Sequence, residues 1–220
     1  MLRFKTFINE GVNDPSIFKA VFLAGGPGSG KSFVVGKTAL PALGFKLINS
    51  DDAFENILKK TDLTFSPEDI MSDEGQAARA KAKVLTTKKM KLALDGRNGL
   101  VIDGTGKDLN KIMKQAIELR KVGYDTAMIF VNTDLETAQK RNKMRSRTLP
   151  DIAVTKMWKD VQKNIGAFQT FFGPTFNVID NSEGSDYNAQ ANRAYKKIMV
   201  WSKKLPKNIA VSKWIKSQRK

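Results

Sequence analysis

The run GGPGSGKS at residues 25–32 constrains this chain more than any other feature. It matches the pattern G-x-x-x-x-G-K-[ST] at every position, which is the phosphate-binding P-loop. In such a loop the glycines let backbone N–H groups surround anionic oxygens, the lysine reaches the outer phosphates, and the serine hydroxyl ligates Mg²⁺. The motif therefore predicts binding of ATP or GTP together with Mg²⁺. The residues predicted to hold them are Gly26, Pro27, Gly28, Ser29, Gly30, Lys31 and Ser32.

The segments on either side of the loop agree with this interpretation. Residues 20–24 form a short apolar run suited to a buried parallel strand, and residues 31–40 suit a helix that Pro41 ends. Phosphate would then lie at the N-terminus of that helix. The dinucleotide-binding pattern G-x-G-x-x-G fails, because its third glycine position, counted from Gly28, is Phe33.

Short apolar runs recur along the chain with helical stretches between them. Residues 108–122 have helical spacing and stop at Gly123, while Ser66 and Pro67 are typical of a helix start and precede a helical segment that runs towards Leu94. Strands that alternate with helices predict a three-layer α/β fold with a parallel sheet covered on both faces. The predicted strands are residues 20–24, 45–49, 100–102, 126–132 and 176–180.

Composition limits the chemistry that the chain can perform. At 220 residues and 41% hydrophobic content, one domain is the expectation. Cysteine and histidine are absent, which excludes disulfides, Cys/His zinc sites, thiol nucleophiles and imidazole bases. Proton transfer must therefore use carboxylates, lysines or tyrosines. With neither a secretory signal pattern nor an apolar run long enough to span a bilayer, we expect a soluble cytoplasmic protein without a transmembrane segment.

The positive charge is concentrated at the end of the chain. The net charge is +16, and no acidic residue follows Asp186. Such a surface is typical of proteins that bind nucleic acid, although a solvated helical face or contact with an anionic membrane would also fit. We expect the apolar residues of this extension to pack onto the domain. Its basic residues are Arg193, Lys196, Lys197, Lys203, Lys204, Lys207, Lys213, Lys216, Arg219 and Lys220.

Carboxylates follow two of the predicted strands. Asp51 and Asp52 come after the second strand and Asp103 after the third, so all three emerge at the carboxyl edge of the sheet, where the P-loop also lies. We predict that Asp51 takes the proton of an attacking hydroxyl and that Asp52 lies beside the substrate, with helix capping as its alternative role. Asp103 would hold Mg²⁺-bound water or orient the acceptor with help from Thr105, although a plain turn aspartate also fits.

A basic cluster ends the helix that starts near Asp134. Arg141 and Arg145 are four residues apart and share one helical face. A guanidinium over the phosphates stabilises charge on the transferring group, so this segment is a candidate lid, although cations also favour helix C-termini. The cluster comprises Lys140, Arg141, Lys143, Arg145 and Arg147. A later aromatic group is expected in the core rather than stacked on bases, and comprises Phe168, Phe171, Phe172 and Phe176.

With these segments in place, residues 21–181 resemble the phage polynucleotide 5′-hydroxyl kinase and zeta-toxin group of P-loop kinases. The matching segments are residues 25–32, 44–52, 101–105 and 140–145. The resemblance implies a five-stranded sheet in the order 2-3-1-4-5. It also implies an ATP-dependent kinase in which Lys31 and Ser32 handle donor phosphates and Mg²⁺. The roles it implies for the others are general base for Asp51, acceptor support for Asp103 and lid arginine for Arg145, with Arg141 beside the nucleotide.

One position departs from that group. Three residues after the base the group carries an arginine that contacts an acceptor phosphate, whereas this chain has Phe54. An apolar side chain there would suit an extruded base. We therefore expect the acceptor to be a hydroxyl on nucleic acid, either a 5′-hydroxyl end of DNA or a hydroxymethylpyrimidine within DNA. The alternatives are a zeta-toxin-like kinase acting on a nucleotide sugar or antibiotic, and a non-catalytic DNA-binding ATPase of a virion.

The features at the two ends of the sequence, together with the kinase motifs between them, suggest a division into three parts. Residues 1–11 resemble the capsid-targeting peptides of large tailed phages, with a small amphipathic helix as the alternative. This implies association with a phage capsid, so that the protein would be found in the host cytoplasm or in the virion. We therefore expect an N-terminal segment at residues 1–18, a kinase domain at residues 19–186 and a basic helical extension at residues 187–220 that packs on the domain.

Overall fold

A parallel sheet lies at the centre of the computed structural model, which describes residues 12–37, 40–64, 66–144 and 148–219. Its strands are β1 (Lys19–Ala24), β2 (Lys46–Ile48), β3 (Leu100–Asp103), β4 (Asp125–Asn132) and β5 (Phe176–Asp180). The helices of the described residues are α1 (Lys31–Lys37), α2 (Ser50–Leu58), α3 (Pro67–Met71), α4 (Asp73–Asp95), α5 (Leu109–Lys121), α6 (Leu135–Lys143), α7 (Asp151–Gln162), α8 (Ile165–Phe172), α9 (Tyr187–Ser202) and α10 (Ile209–Gln218).

The strand order is β2-β3-β1-β4-β5, and every neighbouring pair is parallel. The predicted α/β fold and the order implied by the resemblance are both confirmed. Strand β1 lies in the middle, paired with β3 on one side and β4 on the other. Because all five strands run the same way, the loops that follow β1, β2 and β3 open onto one edge of the sheet.

Both faces of the sheet are buried. Phe22 and Met128 belong to a hydrophobic cluster on one face, whereas Leu23 and Ile129 belong to a cluster on the other. Successive side chains of a strand point to opposite faces, so an uninterrupted apolar strand supplies both layers. This explains why β1 and β4 read as continuous apolar runs without alternation.

Helices α2, α3 and α4 have a smaller core of their own. Phe54 and Leu58 from α2 pack with Ile70 from α3 and with Ala78 and Ala82 from α4. The small alanines allow the long helix α4 to approach α2 closely. The three helices thus form a unit that flanks the carboxyl edge of the sheet.

Two helical predictions need correction. The helical segment beginning at Ser66 is broken at Ser72, which has extended backbone (ψ 161°) and accepts a hydrogen bond from the Gly75 amide to start α4. Ser66 itself caps α3 as predicted. The helix after the P-loop is described only to Lys37, and Leu40 and Pro41, at its predicted end, lie inside a short 3₁₀ helix (Leu40–Leu43).

The last two helices pack on the domain. Ile198 of α9 is 1% exposed, and Ile215 of α10 is fully buried. The predicted aromatic core residues also pack inside, with Phe168 and Phe172 buried. In the part of the chain that the structure describes, no helix is long and apolar enough to cross a membrane. Residues 1–11, which carry the predicted capsid-targeting peptide, lie outside the described residues, and the three-part division stays a prediction.

Candidate active site

The P-loop links β1 to α1 and is held tightly from three sides. The Gly25 amide donates a hydrogen bond to the Thr105 carbonyl, 3.2 Å away. Gly28 has φ +71°, and a Cβ there would lie 2.6 Å from the Ala138 carbonyl oxygen of α6. Gly30 has φ +89°, and a Cβ there would lie 2.4 Å from Nδ2 of Asn181. Only glycine combines this backbone conformation with such close approach, which gives the motif its physical reason.

Lys31 and Ser32 begin helix α1 directly after the loop. The Lys31 ammonium donates to the carbonyl oxygen of Gly25 at 2.5 Å and to that of Gly26 at 3.3 Å. The Ser32 side chain is exposed at the helix start. The amide groups at the beginning of a helix favour anions, so a phosphate placed here would meet backbone N–H groups, the lysine and the serine hydroxyl together.

Asn49 organises the carboxylates that follow β2 and β3. Its Nδ2 donates to Asp52 at 2.9 Å and to Asp103 at 3.1 Å, and its Oδ1 accepts from the Asp51 amide at 2.8 Å. Asn49 is therefore the N-cap of α2, and the capping role considered for Asp52 was wrong. Asn49 was given no role from the sequence, although an asparagine that directly precedes a helix start at Ser50 is a recognisable cap.

Asp103 is the most strongly perturbed acid of the site. Burial raises its pKa to about 6; the nearby Lys31 ammonium works in the other direction, and Asp52 and Asp51 add to the rise. Its Oδ1 is buried without a hydrogen-bond partner among the described residues. An unsatisfied carboxylate oxygen beside the P-loop lysine suits a cation or a bound water.

The two aspartates of α2 differ in their surroundings. Partial burial, reinforced by the neighbouring charge of Asp51, raises the pKa of Asp52, while Lys89 on α4 lowers it. Both residues are exposed. The Asp52 carboxylate accepts a hydrogen bond from Asn49, which also binds Asp103, whereas the Asp51 carboxylate accepts none among the described residues. Asp51 is therefore the aspartate whose carboxylate oxygens are available to a substrate.

On the other side of the P-loop, Arg141 and Asn181 lock α6 to the loop. Arg141 donates to the Asn181 carbonyl at 2.8 Å and more weakly to the Gly28 carbonyl at 3.4 Å. Asn181 donates from Nδ2 to the Ser29 carbonyl at 2.8 Å. Arg141 therefore lies against the loop, as a nucleotide-binding position requires. Asn181 was not predicted from the sequence, although it follows β5 at the same edge of the sheet where ligand-binding side chains gather.

Helix α7 closes this side of the site through Trp158. The indole N–H donates to the Thr133 carbonyl at 2.7 Å, and its Cα lies 4.0 Å from the position of a Cβ on Gly26. Nothing in the sequence distinguished this tryptophan from a core residue. The predicted lid arginine, Arg145, and the neighbouring Arg147 lie outside the described residues, so the lid assignment stays a prediction.

Two other predicted substrate residues can be located. Phe54 is 2% exposed and packs in the core of α2, α3 and α4, so the expectation that its ring faces the acceptor was wrong. The physical reason is that Phe54 lies on the inner face of an amphipathic helix, where burial of a large apolar side chain stabilises the packing. Thr105 lies in the loop after β3, where its backbone carbonyl rather than its hydroxyl holds the P-loop.

A P-loop at the end of a central parallel strand, with carboxylates at the ends of two neighbouring strands, defines a P-loop kinase fold. The chain belongs to the AAA domain family, whose sequence model matches residues 21–166. No curated protein sequence matches the chain.

Solved structures with the same fold are distant in sequence. The AvrRxo1-ORF1:-ORF2 complex with ATP aligns with a TM-score of 0.60 at 14% identity, covering 90% of this chain and 70% of that one. The PezAT toxin-antitoxin system of Streptococcus pneumoniae aligns with a TM-score of 0.56 at 13% identity and 92% coverage of each chain. A protein described as a putative kinase, from Chloroflexus aurantiacus, aligns with a TM-score of 0.52 at 13% identity, covering 81% of this chain and 97% of that one. At these identities the alignments show a shared fold.

Proposed function

We propose that this protein is an ATP-dependent kinase that transfers the γ-phosphoryl group to a hydroxyl carried by DNA. The observation that carries the proposal is the exposed carboxylate of Asp51 at the sheet edge that also bears the P-loop. The fold and the family support phosphoryl transfer as the class of reaction. The choice of a DNA acceptor rests on charge.

On the donor side, the chain offers backbone amides, a lysine and oxygen ligands for Mg²⁺ to a nucleoside triphosphate. The P-loop amides and Lys31 would bind the phosphates, and Arg141 and Asn181 hold the loop in place from the side of α6. Ser32 and the unpaired Oδ1 of Asp103 fit a hydrated Mg²⁺, which would offset negative charge on the phosphates when bound. Among the residues described, no three acidic side chains converge on one metal position, so phosphate oxygens and water would complete the coordination.

On the acceptor side, the reaction needs one base. The hydroxyl oxygen forms a bond to the γ-phosphorus while the bond from phosphorus to the β-phosphate oxygen breaks and ADP leaves. The hydroxyl proton passes to Asp51. The hydrogen bond between the Asp51 amide and Asn49 fixes the backbone that carries this carboxylate without occupying its oxygens. Lys31 stabilises the charge that develops on the transferring group.

A basic helix beside these carboxylates supports a nucleic-acid acceptor. Residues 75–94 of α4 contain six basic residues and no acidic one, and within the described residues none of the six forms an ion pair. The five lysines among them are exposed, and exposed cations attract phosphate backbones and make binding dependent on salt. The six basic residues are Arg79, Lys81, Lys83, Lys88, Lys89 and Lys91.

The experiment is phosphoryl transfer from γ-labelled ATP with Mg²⁺ to a panel of acceptors. The panel contains DNA with 5′-hydroxyl ends, DNA containing hydroxymethyluracil, RNA, nucleotide sugars and an aminoglycoside antibiotic. We expect label on DNA, abolished by Lys31→Ala and lowered about 100-fold or more by Asp51→Asn, because a positioned general base contributes about 10²–10⁴-fold.

Asp52→Asn is the matched control. It also replaces a carboxylate by an amide, one residue away from Asp51. The amide oxygen of the new side chain can still accept the hydrogen bond from Asn49. Activity that falls equally in both variants, or only in Asp52→Asn, refutes the assignment of the base. Label on a small metabolite alone, with a rate indifferent to moderate salt, would establish a zeta-toxin-like kinase instead.

A further inference from the structure

A guanidinium without a counter-ion lies against the helix that carries the proposed base. The Cζ of Arg79, on α4, is 4.7 Å from the centroid of the Phe54 ring on α2. Its Nε is buried and has no hydrogen-bond partner among the described residues. No carboxylate of those residues forms an ion pair with it. An arginine is always charged and carries five donors, so a partly desolvated one without an acceptor is costly unless a ligand supplies the anion.

The position of Arg79 along α4 places it beyond the sheet. Helix α4 has 23 residues and is therefore about 34 Å long, whereas β3, which follows it, has 4 residues and spans only about 13 Å. The C-terminal end of α4 lies beside the sheet, because Ala93 belongs to the same cluster as the strands. The N-terminal half, including Arg79, therefore projects past the carboxyl edge, where Asp51 and Asp103 lie.

The side chain also lies on the inward side of α4. Met90 is eleven residues after Arg79, which is three helical turns, so the two side chains lie on the same side of the helix. Met90 packs against the core of the sheet. Arg79 consequently faces the cleft above the sheet, whereas Lys81, two residues further on, is exposed and lies on another side of the helix.

The spacing from the base suits a single acceptor molecule. Asp51 and Phe54 are three residues apart on α2, which places their Cβ atoms about 5–6 Å apart. Adding about 3 Å from the Phe54 Cβ to its ring centroid and 4.7 Å from that centroid to the Arg79 Cζ puts the guanidinium within about 14 Å of the Asp51 Cβ. The two groups can therefore contact one substrate, one at its hydroxyl and the other at an anionic group.

We propose that Arg79 binds a phosphate of the acceptor and so determines which hydroxyl reaches Asp51. This inference rests on the proposed function. It also gives Phe54 a role, because its ring packs against the face of the guanidinium. The sequence offered no cation near the base on α2 itself, and the structure supplies one from α4.

The test compares Arg79→Gln with Lys114→Gln, which removes the charge of an exposed lysine on α5, outside the unit formed by α2, α3 and α4. Acceptors are a single-stranded oligonucleotide, thymidine 3′-monophosphate and thymidine, which share one 5′-hydroxyl and differ in phosphate. We expect Arg79→Gln to raise the KM for the first two about 10- to 100-fold, the effect of losing a charge-assisted hydrogen bond, while leaving the KM for ATP and turnover of thymidine unchanged. Lys114→Gln should change the KM for thymidine 3′-monophosphate less than twofold.

Binding of the same molecules, measured calorimetrically in the absence of ATP, separates this inference from the kinase proposal. Loss of thymidine 3′-monophosphate binding in Arg79→Gln, with an unchanged unfolding curve, supports the phosphate site even where no label is transferred to DNA. Arg79→Lys, which keeps the charge but loses the planar fork, should bind with intermediate affinity. If Arg79→Gln and Lys114→Gln bind all three molecules alike, or if thymidine loses as much affinity as its phosphate, the inference is wrong. An effect on the oligonucleotide but not on thymidine 3′-monophosphate would also overturn it, because the phosphate would then belong to a remote part of the strand.

Discussion

Replacing Asp103 by asparagine is expected to stabilise the protein while it impairs catalysis. Burial raises the pKa of Asp103 from 3.8 to about 6, a difference of about 2.2 units, which corresponds to about 3 kcal/mol at 1.36 kcal/mol per unit. The ionised side chain therefore costs the folded state up to that amount. Asparagine removes the charge and keeps an acceptor for Asn49, but it leaves a buried amide N–H₂ in place of Oδ1, so a net gain of about 1–2 kcal/mol is expected.

The effect of Asp103 on the free energy of unfolding depends on pH. Because the folded pKa lies above the unfolded one, the folded wild type binds more protons between about pH 4 and pH 6, and its free energy of unfolding falls as pH rises through this window. The penalty is small near pH 4, about 0.5 kcal/mol, and complete near pH 8. Asp103→Asn should therefore unfold about 3–6 °C higher than wild type near pH 8 and show no gain near pH 4.

Thermal unfolding without nucleotide or Mg²⁺, followed by circular dichroism at both pH values, is the assay. Asp62→Asn is the control, because Asp62 is exposed and its change should alter stability by less than about 0.5 kcal/mol at either pH. Addition of ATP and Mg²⁺ should stabilise wild type more than Asp103→Asn. A variant that is less stable than wild type near pH 8, or a difference that does not change with pH, would refute the conclusion that the ionised Asp103 carboxylate destabilises the folded state.

Two further substitutions test a P-loop contact and a buried ion pair at the opposite edge of the sheet. Gly30→Ala places a methyl group against Asn181 at φ +89°, and we expect about 1–3 kcal/mol of destabilisation with weaker ATP binding by calorimetry; unchanged affinity would contradict the close contact. Lys19→Met removes the ammonium 2.8 Å from Asp125 where the lysine side chain is 1% exposed, and we expect a loss of about 3–5 kcal/mol in urea unfolding. Adding Asp125→Asn should restore most of that loss, and a double variant as unstable as the single one would count against the pair.

Some features of the fold follow from local chemistry and could be predicted. The continuous apolar runs of β1 and β4 indicated strands buried on both faces, and Ser66 and Asp134 indicated helix starts that the structure confirms. These predictions succeeded because strand burial and helix capping depend on residues that are close together in sequence. The break at Ser72 was missed, because a serine flanked by helix-forming residues becomes a cap only when tertiary packing turns the chain there.

Long-range contacts were harder to predict. Asn181 lies 152 residues from the Ser29 carbonyl that it binds, and no local pattern joins the two. Phe54 was misplaced for a related reason: its position after the base suggested a substrate contact, whereas the face of α2 that turns inward is decided by α3 and α4. Which side of a helix is buried depends on its neighbours as much as on its own pattern.

The sequence alone determined the P-loop motif at residues 25–32 and with it the prediction of phosphate binding, because glycine spacing with a lysine and a serine is a property of consecutive residues. It also determined that carboxylates follow two strands. Only the tertiary structure decided the state of these carboxylates, since the rise in the pKa of Asp103 arises from burial and from charges on other segments. Only the tertiary structure brought Arg79 onto Phe54, because the two residues approach each other through the packing of separate helices.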